Sequence, residues 1–348
     1  MVDYIVVGFG LAGLSFVEQL ERNGKSYLVY EDYSQKSSRV AGGLYNPIIL
    51  KRFTAAWKAQ EQTEIALPFY RGIEKKLQES LVFDLPVLRR FNSIEEQNMW
   101  FEACDKPILN KFLSSDLISN TNIALDIPYH YGRVKDTRRI NIQKMLACYA
   151  QYLEKKDLLI RKSFKHEDLN ISKETIEYKG NEARNIVFTE GYGVTKNPLF
   201  NYLPLYGNKG EYIVIKSSEL ELKEAVKSSV FIIPLGENLY KVGATYNNKD
   251  NSQDTTSLAK IEIEKKLKTF LKTPYEIVDQ VAGIRPTVKD RRPLVGTHPE
   301  YSKVHILNGL GSRGIIMTPS MASQLYNYIH KGIPLDIEID IRRFEKLG

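Results

Sequence analysis

Residues 3–7 (DYIVV) predict a buried strand, since after Asp3 the run is aromatic and β-branched without a polar break. Gly8, Gly10 and Gly13 follow in the order GFGLAG, and the amphipathic stretch 14–23 then predicts a helix that Gly24 ends. Residues 26–30 (SYLVY) predict a second strand with Glu31 at its end. Strand, glycine turn, helix, strand and acid succeed one another as in a dinucleotide-binding βαβ unit.

Each residue type in that unit has a physical task. Gly8 permits the tight turn, Gly10 lets the backbone approach a pyrophosphate, and Gly13 lets the helix pack close to the strand. The helix N-terminus offers unpaired N–H groups and about half a positive charge to phosphate. Glu31 lies 18 residues past Gly13, close to the ~20 expected of an acid that accepts from a ribose hydroxyl. An acid there repels a 2′-phosphate, which disfavours NADP; the unit leaves NAD and FAD open.

Farther along, 61–78 reads as a helix with Ile65, Phe69, Ile73 and Leu77 on its core face. Asn141 is the expected N-cap of another, with Met145, Leu146, Tyr149 and Leu153 inward. Residues 184–189 (RNIVFT) form a buried-strand run that meets Gly191 and Gly193. Residues 211–215, 230–235 and 240–245 predict strands, the last two joined as a hairpin through Gly236 and Asn238. Antiparallel strands in mid-chain do not continue a doubly wound sheet, so they predict a second domain. Residues 247–256 read as a loop and 258–271 as a helix of that domain. The last part returns to strand (305–308), glycine turn (309–314) and a helix running to His330, closed by Gly332. The expectation is a fold of α/β plus α+β class: a discontinuous Rossmann-like domain (1–60, 135–200 and 280–348) carrying an inserted antiparallel-sheet substrate domain (61–134 and 201–279).

Composition narrows the class. Of 348 residues, 43% are apolar and 26% charged, near globular averages of about 45–50% and about 25%, which disfavours disordered, collagen-like and coiled-coil chains. Cys104 and Cys148 are the only cysteines and fit no CxxC or zinc spacing, so a reducing, cytoplasmic setting is expected. The apolar run 5–17 is shorter than the ~20 residues of a membrane span and lacks a basic leader, so neither span nor signal peptide is expected. The net charge of +7 reads as an ordinary solvated surface; a nucleic-acid partner is possible but not favoured. The five histidines show no metal spacing and no Ser/His/Asp arrangement stands out, so no metal site and no hydrolase is expected.

Five motifs join the first glycine turn, GFGLAG with Glu31: SRVAGGLYNP (38–47), FIIP (231–234), VGATY (242–246), GIRPTVKDRRPLVG (283–296) and NGLGSRG (308–314). Together they make the chain resemble the FAD-dependent D-amino acid oxidase superfamily, which includes glycine and sarcosine oxidases and the oxidase half of a tRNA wobble-uridine-modifying enzyme. The resemblance implies FAD over NAD, with the first domain as the FAD-binding one. It implies that Gly8, Gly10, Gly13 and Glu31 hold the adenine end and that Ala41, Gly42 and Gly43 run past the isoalloxazine. Gly191 joins the cofactor-binding set. The turn Gly309, Gly311, Ser312, Arg313 and Gly314 would aim a helix N-terminus at the flavin pyrimidine. Arg285, in GIRP, would bind a substrate carboxylate, and Tyr246 would stand in the substrate wall. Lys51 and Arg52 follow the flavin-side segment, where they would stand near the ring or the pocket mouth; a solvated pair is the favoured reading.

Two departures qualify the resemblance. Phe231 stands where D-amino acid oxidases have a tyrosine, which puts a simple amino acid substrate in doubt. No cysteine or histidine lies in a flavin motif, so the FAD is expected to be non-covalent. The implied reaction is oxidation of a C–N bond, in an amino acid or carboxylate-bearing secondary amine, by hydride transfer to flavin N5. Dioxygen or another acceptor would reoxidise the flavin. The alternatives are flavin-dependent tRNA-uridine modification and 2-hydroxy acid oxidation.

Overall fold

The computed structural model describes residues 1–347, with side chains through residue 344. Strand Val2–Val7 lies between Tyr27–Tyr30 and Asn181–Phe188, parallel to both, and Asn181–Phe188 pairs in parallel with Val304–Asn308. The beginning, middle and end of the chain thus form neighbouring strands of one sheet. Parallel strands need cover on both faces, and both faces are buried. Tyr4, Val6 and Val29 pack under helix Leu11–Arg22, while Ile5, Val7, Ile186 and Phe188 pack on the opposite side. The register Val7↔Tyr30 and Val7↔Phe188 brings the carboxyl ends of these strands to one edge, where open α/β sheets bind ligands.

Helix Leu11–Arg22 begins three residues earlier than its stripe predicts, because Gly10 is its N-cap and the glycine turn runs straight into it. Helix Ala59–Leu77 differs more. Ile65, expected in the core, is 43% exposed; the buried side chains are Gln62, Ala66, Phe69, Tyr70 and Ile73. Steps of four residues drift by about 40° each around a helix of 3.6 residues per turn, so a stripe taken at 65, 69, 73 and 77 slides off one face. This helix packs on helix Gly314–Lys331, beside the first sheet. There Tyr70 Oη donates to the Ile315 carbonyl at 2.7 Å. Pro319, four residues on in the same helix, has no N–H to give that carbonyl, and the tyrosine supplies the missing donor. Asn141 caps helix Ile142–Glu154 as expected, its Oδ1 accepting from Lys144 N at 3.2 Å.

The second sheet has eight strands in the order Glu276–Val288, Leu205–Lys216, Leu239–Gly243, Phe231–Gly236, Ala225–Lys227, Val87–Arg90, Tyr131–Val134, Leu113–Ile118. All pairings are antiparallel except Ala225–Lys227 with Val87–Arg90. The expected hairpin is present, though its second strand stops at Gly243. The strand expected at 211–215 begins at Leu205, and the helix expected at 258–271 spans Ser257–Leu267. A separate apolar core, including Ile213, Ile232, Val242, Ile263 and Phe270, fixes helix Ser257–Leu267 to the sheet. Among the described residues no helix is long and apolar enough to cross a membrane.

Candidate active site

One cleft of about 390 Å³ runs from the carboxyl edge of the parallel sheet to the inner face of the second sheet, a size typical of ligand sites. Gly8, Gly10, Glu31 and Gly191 line its first end. Gly8 has φ +95°, and a Cβ there would stand 2.8 Å from Thr189 O. Gly13 lies behind the wall; its Cβ would meet Gly8 O at 2.1 Å, so only glycine lets the helix close on the turn. Glu31 is 7% exposed. Its carboxylate accepts from the Phe9 N–H inside the glycine turn, from Tyr33 N at 2.7 Å, and from Arg39 Nη2 at 3.3 Å. The acid expected to face a ribose is thus also the tie that holds the turn in shape.

Ala41, Gly42 and Gly43 pass along the middle of the cleft. A Cβ on Gly42 would lie 2.8 Å from Ile233 Cδ1 and 3.4 Å from Tyr212 Oη, so the segment runs against the second sheet with no room for a side chain. Opposite it stand Gly311, Ser312, Arg313 and Gly314, at the head of helix Gly314–Lys331. Arg313 Nη1 and Nη2 donate to Asn46 O (2.9 Å) and Ile48 O (3.2 Å), clamping this turn to the strand segment that follows Gly43. Asn308 Nδ2 donates to Gly191 O at 2.9 Å and so ties together the turns that follow two neighbouring strands of the parallel sheet. Gly309 does not reach the wall; its Cβ would press on Val288 Cγ2 at 2.7 Å.

On the second sheet, Arg285 and Tyr246 both line the cleft, the guanidinium 4.6 Å from the ring centroid. Arg285 Nη1 donates to Asn208 Oδ1 (3.1 Å) and Thr245 O (3.3 Å). Its guanidinium lies over Gly210, where a Cβ would stand 2.0–2.3 Å from Nη2, Cζ and Nη1. Burial pushes the Tyr212 phenol up, against the opposing pull of the Arg285 charge. Phe231, Tyr212 and Lys227 share this wall. Lys51, expected to be solvated with Arg52, is exposed but lines the cleft as well. Tyr212, Gly210 and Lys227 carry no motif of their own; register across distant strands brings them here.

The residues present fit an extended dinucleotide: a helix N-terminus at a bare glycine turn, a second bare turn at the far end, and a continuous cleft between. Fold and cleft together define a dinucleotide-dependent protein with a separate substrate-facing sheet. The family is narrower still. The model of the DAO family, described as FAD dependent oxidoreductase, matches residues 3–327, and the chain belongs to that family; FAD is its cofactor. The resemblance read from the motifs is borne out. Glycine oxidase of Bacillus subtilis (strain 168) is 32% identical over 132 residues, which make up 37% of this chain and 35% of that protein; the match thus spans about a third of that relative's length. The crystal structure of glycine oxidase from Bacillus cereus ATCC 14579 superposes with a TM-score of 0.78 at 17% identity, covering 96% of each chain. That of iminodiacetate oxidase from Chelativorans sp. BNC1 gives 0.77 at 16%, again covering 96% of each. At these identities the superpositions speak for the fold.

Proposed function

We propose that this chain oxidises the C–N bond of an amino acid or of a secondary amine that carries a carboxylate. One observation carries the reading: the Arg285 guanidinium stands in the cleft wall, donates through Nη1 only to neutral oxygens, and has no carboxylate partner among the described residues. A planar guanidinium binds a carboxylate bidentately, which supplies affinity and fixes how the neighbouring Cα is presented. The relatives named for glycine and iminodiacetate support it, both compounds being amines with a carboxylate on the adjoining carbon.

Gly8, Gly10, Glu31 and Gly191 would hold the dinucleotide end, and Ala41, Gly42, Gly43, Gly311, Ser312, Arg313 and Gly314 would frame the ring, with Gly13 and Gly309 packing the turns behind. When bound, FAD would supply a two-electron acceptor for the hydride that leaves the substrate, with dioxygen or another acceptor taking those electrons on. The first turn of helix Gly314–Lys331 would present a positive end to charge gathering on the ring. Tyr246 and Tyr212 would wall the amine from water. Neither Cys104 nor Cys148 lines the cleft, which supports a non-covalent cofactor, and both thiols are free, as in a cytoplasmic enzyme. The working domain division is the one drawn from the sequence, with helix Ala59–Leu77 moved to the FAD-binding unit on its packing.

The test is anaerobic. Oxidised enzyme is mixed with glycine, N-methylglycine, N-carboxymethylglycine, D-proline and lactate, and the yellow absorption band is followed. Bleaching by one or more of the amines is expected. Bleaching by lactate alone, or by none of them, overturns the reading.

A further inference from the structure

The second sheet places another cation in the cleft. Register joins Arg89↔Lys227, Lys227↔Phe231, Phe231↔Gly243 and Gly243↔Tyr212 into one row across five strands, and residues paired this way share a face. Lys227, Phe231 and Tyr212 all line the cleft. The Lys227 ammonium lies 5.2 Å from the Phe231 ring centroid, and its one hydrogen bond runs to Ser229 O at 3.3 Å. Arg89, beside it, is engaged by Glu96 at 2.9 Å, whereas Lys227 forms no ion pair among the described residues. Lys51, on the turn facing it, lines the same end and also forms none. Three strand spacings of ~4.8 Å put Lys227 about 14 Å from Tyr212 at the backbone, and Arg285 covers Gly210, the same-face neighbour of Tyr212. One face therefore carries a cation at each end with aromatic side chains between.

We infer that the substrate is an amine bearing two carboxylates, one held by Arg285 and the other by Lys227, with Lys51 adding to the field at that end. This rests on the C–N oxidation reading and names its substrate class. Lys227 is half-buried in the cleft wall and has no counter-ion among the described residues, and removing an unpaired charge from water as a ligand closes over it is costly; a second carboxylate is the partner those residues do not provide. Burial, with the like charges of Arg89, Lys266 and Lys51, brings the Lys227 ammonium down to about 8; an arriving carboxylate would restore its charge.

The probes are N-carboxymethylglycine and N-methylglycine, which differ by the second carboxylate. The readout is the ratio of their flavin-reduction efficiencies (kred/Kd, anaerobic). The wild type is expected to favour the diacid. In Lys227→Met that ratio should fall about tenfold or more, which is about 1.4 kcal/mol or more, and Lys227→Arg should restore most of it. Should Lys227→Met not yield a folded flavoprotein, the wild-type ratio decides: it should fall as pH rises through about 8, where Lys227 loses its proton. A wild type with no preference for the diacid, an unchanged ratio in Lys227→Met, or a pH-independent ratio overturns the inference while leaving C–N oxidation standing. If neither amine reduces the flavin, the broader reading fails, and this inference fails with it.

Discussion

Replacing Arg285 by methionine removes the guanidinium that the second sheet presents to the cleft without an acid partner among the described residues, and keeps most of the side chain's apolar volume. Truncating one partner of a buried, hydrogen-bonded charge pair costs about 2–5 kcal/mol. Arg285 is only partly buried, so the lower part of that range applies, about 2–3 kcal/mol, or roughly 30- to 150-fold at about 1.4 kcal/mol per decade. The loss should appear in substrate Kd, read from perturbation of the flavin spectrum by a non-reducing carboxylate such as acetate and from the concentration dependence of anaerobic reduction. FAD affinity should change little, since Arg285 bonds to Asn208 and Thr245 and not to the turns at 8–13 or 309–314. Arg285→Lys keeps the charge but not the planar fork, so it should recover part of the affinity. A carboxylated amine binding Arg285→Met within about threefold of wild type would refute the assignment of this arginine to the carboxylate.

Gly210→Ala should imitate that variant without touching the charge, because its Cβ would stand 2.0 Å from Arg285 Nη2; carboxylate affinity should fall about tenfold or more, by the same titration, with FAD retained. Tyr70→Phe should leave the partly buried Ile315 carbonyl without its tyrosine donor, at a cost of about 1 kcal/mol in urea denaturation. His305 is fully buried between Thr297 Oγ1 and Asn185 Oδ1, and burial holds it down to about 3, against about 6.5 unfolded. The unfolded chain then binds the extra proton between those values. The contribution is complete above pH 6.5 and is lost as pH falls toward 3, at up to about 1.4 kcal/mol per unit. His305→Gln should therefore flatten the acid limb relative to wild type by about 2 kcal/mol between pH 7 and 5, and an unchanged limb would refute the buried neutral imidazole.

What was legible in the sequence is what short-range geometry decides. The first βαβ unit closes within 31 residues, and Gly13 is required by a contact only five residues away, with Gly8 O; a pattern of residue types captures that, although Gly8 itself also abuts Thr189 O, far along the chain. The hairpin 231–243 is local for the same reason. The helix at 59–77 was found and its buried face only in part: Phe69 and Ile73 are buried as expected, but Ile65 is exposed, since the face is set by the helix it meets, Gly314–Lys331, some 250 residues away. Motifs marked Arg285 and Tyr246 but were silent on Gly210, Tyr212 and Lys227. Their place in the cleft comes from pairings such as Lys227↔Phe231 and Phe231↔Gly243, in which neither partner is unusual by itself. Glu31 was identified as a residue and only half as a function: its bond to Phe9 N is a property of the folded turn.

The C-terminal turn shows why the chain returns to its first domain only at the end. Four distant segments hold that turn: Gly191 through Asn308 Nδ2, Pro286 through Gly311 N (2.8 Å), Asn46 and Ile48 through Arg313, and Tyr70 through the Ile315 carbonyl. Each tie fixes a backbone segment that lines the cleft or borders it. Dipoles aimed at developing charge stabilise it most when they do not have to reorganise. A loop fastened from one side only would need to order itself each time the cofactor bound, at a conformational cost of about 1–2 kcal/mol per residue. Fastening it to segments elsewhere in the chain transfers that ordering to the folding step. The same ties make the turn's geometry depend on both sheets at once, so substitutions in either sheet should disturb cofactor binding before they disturb the core.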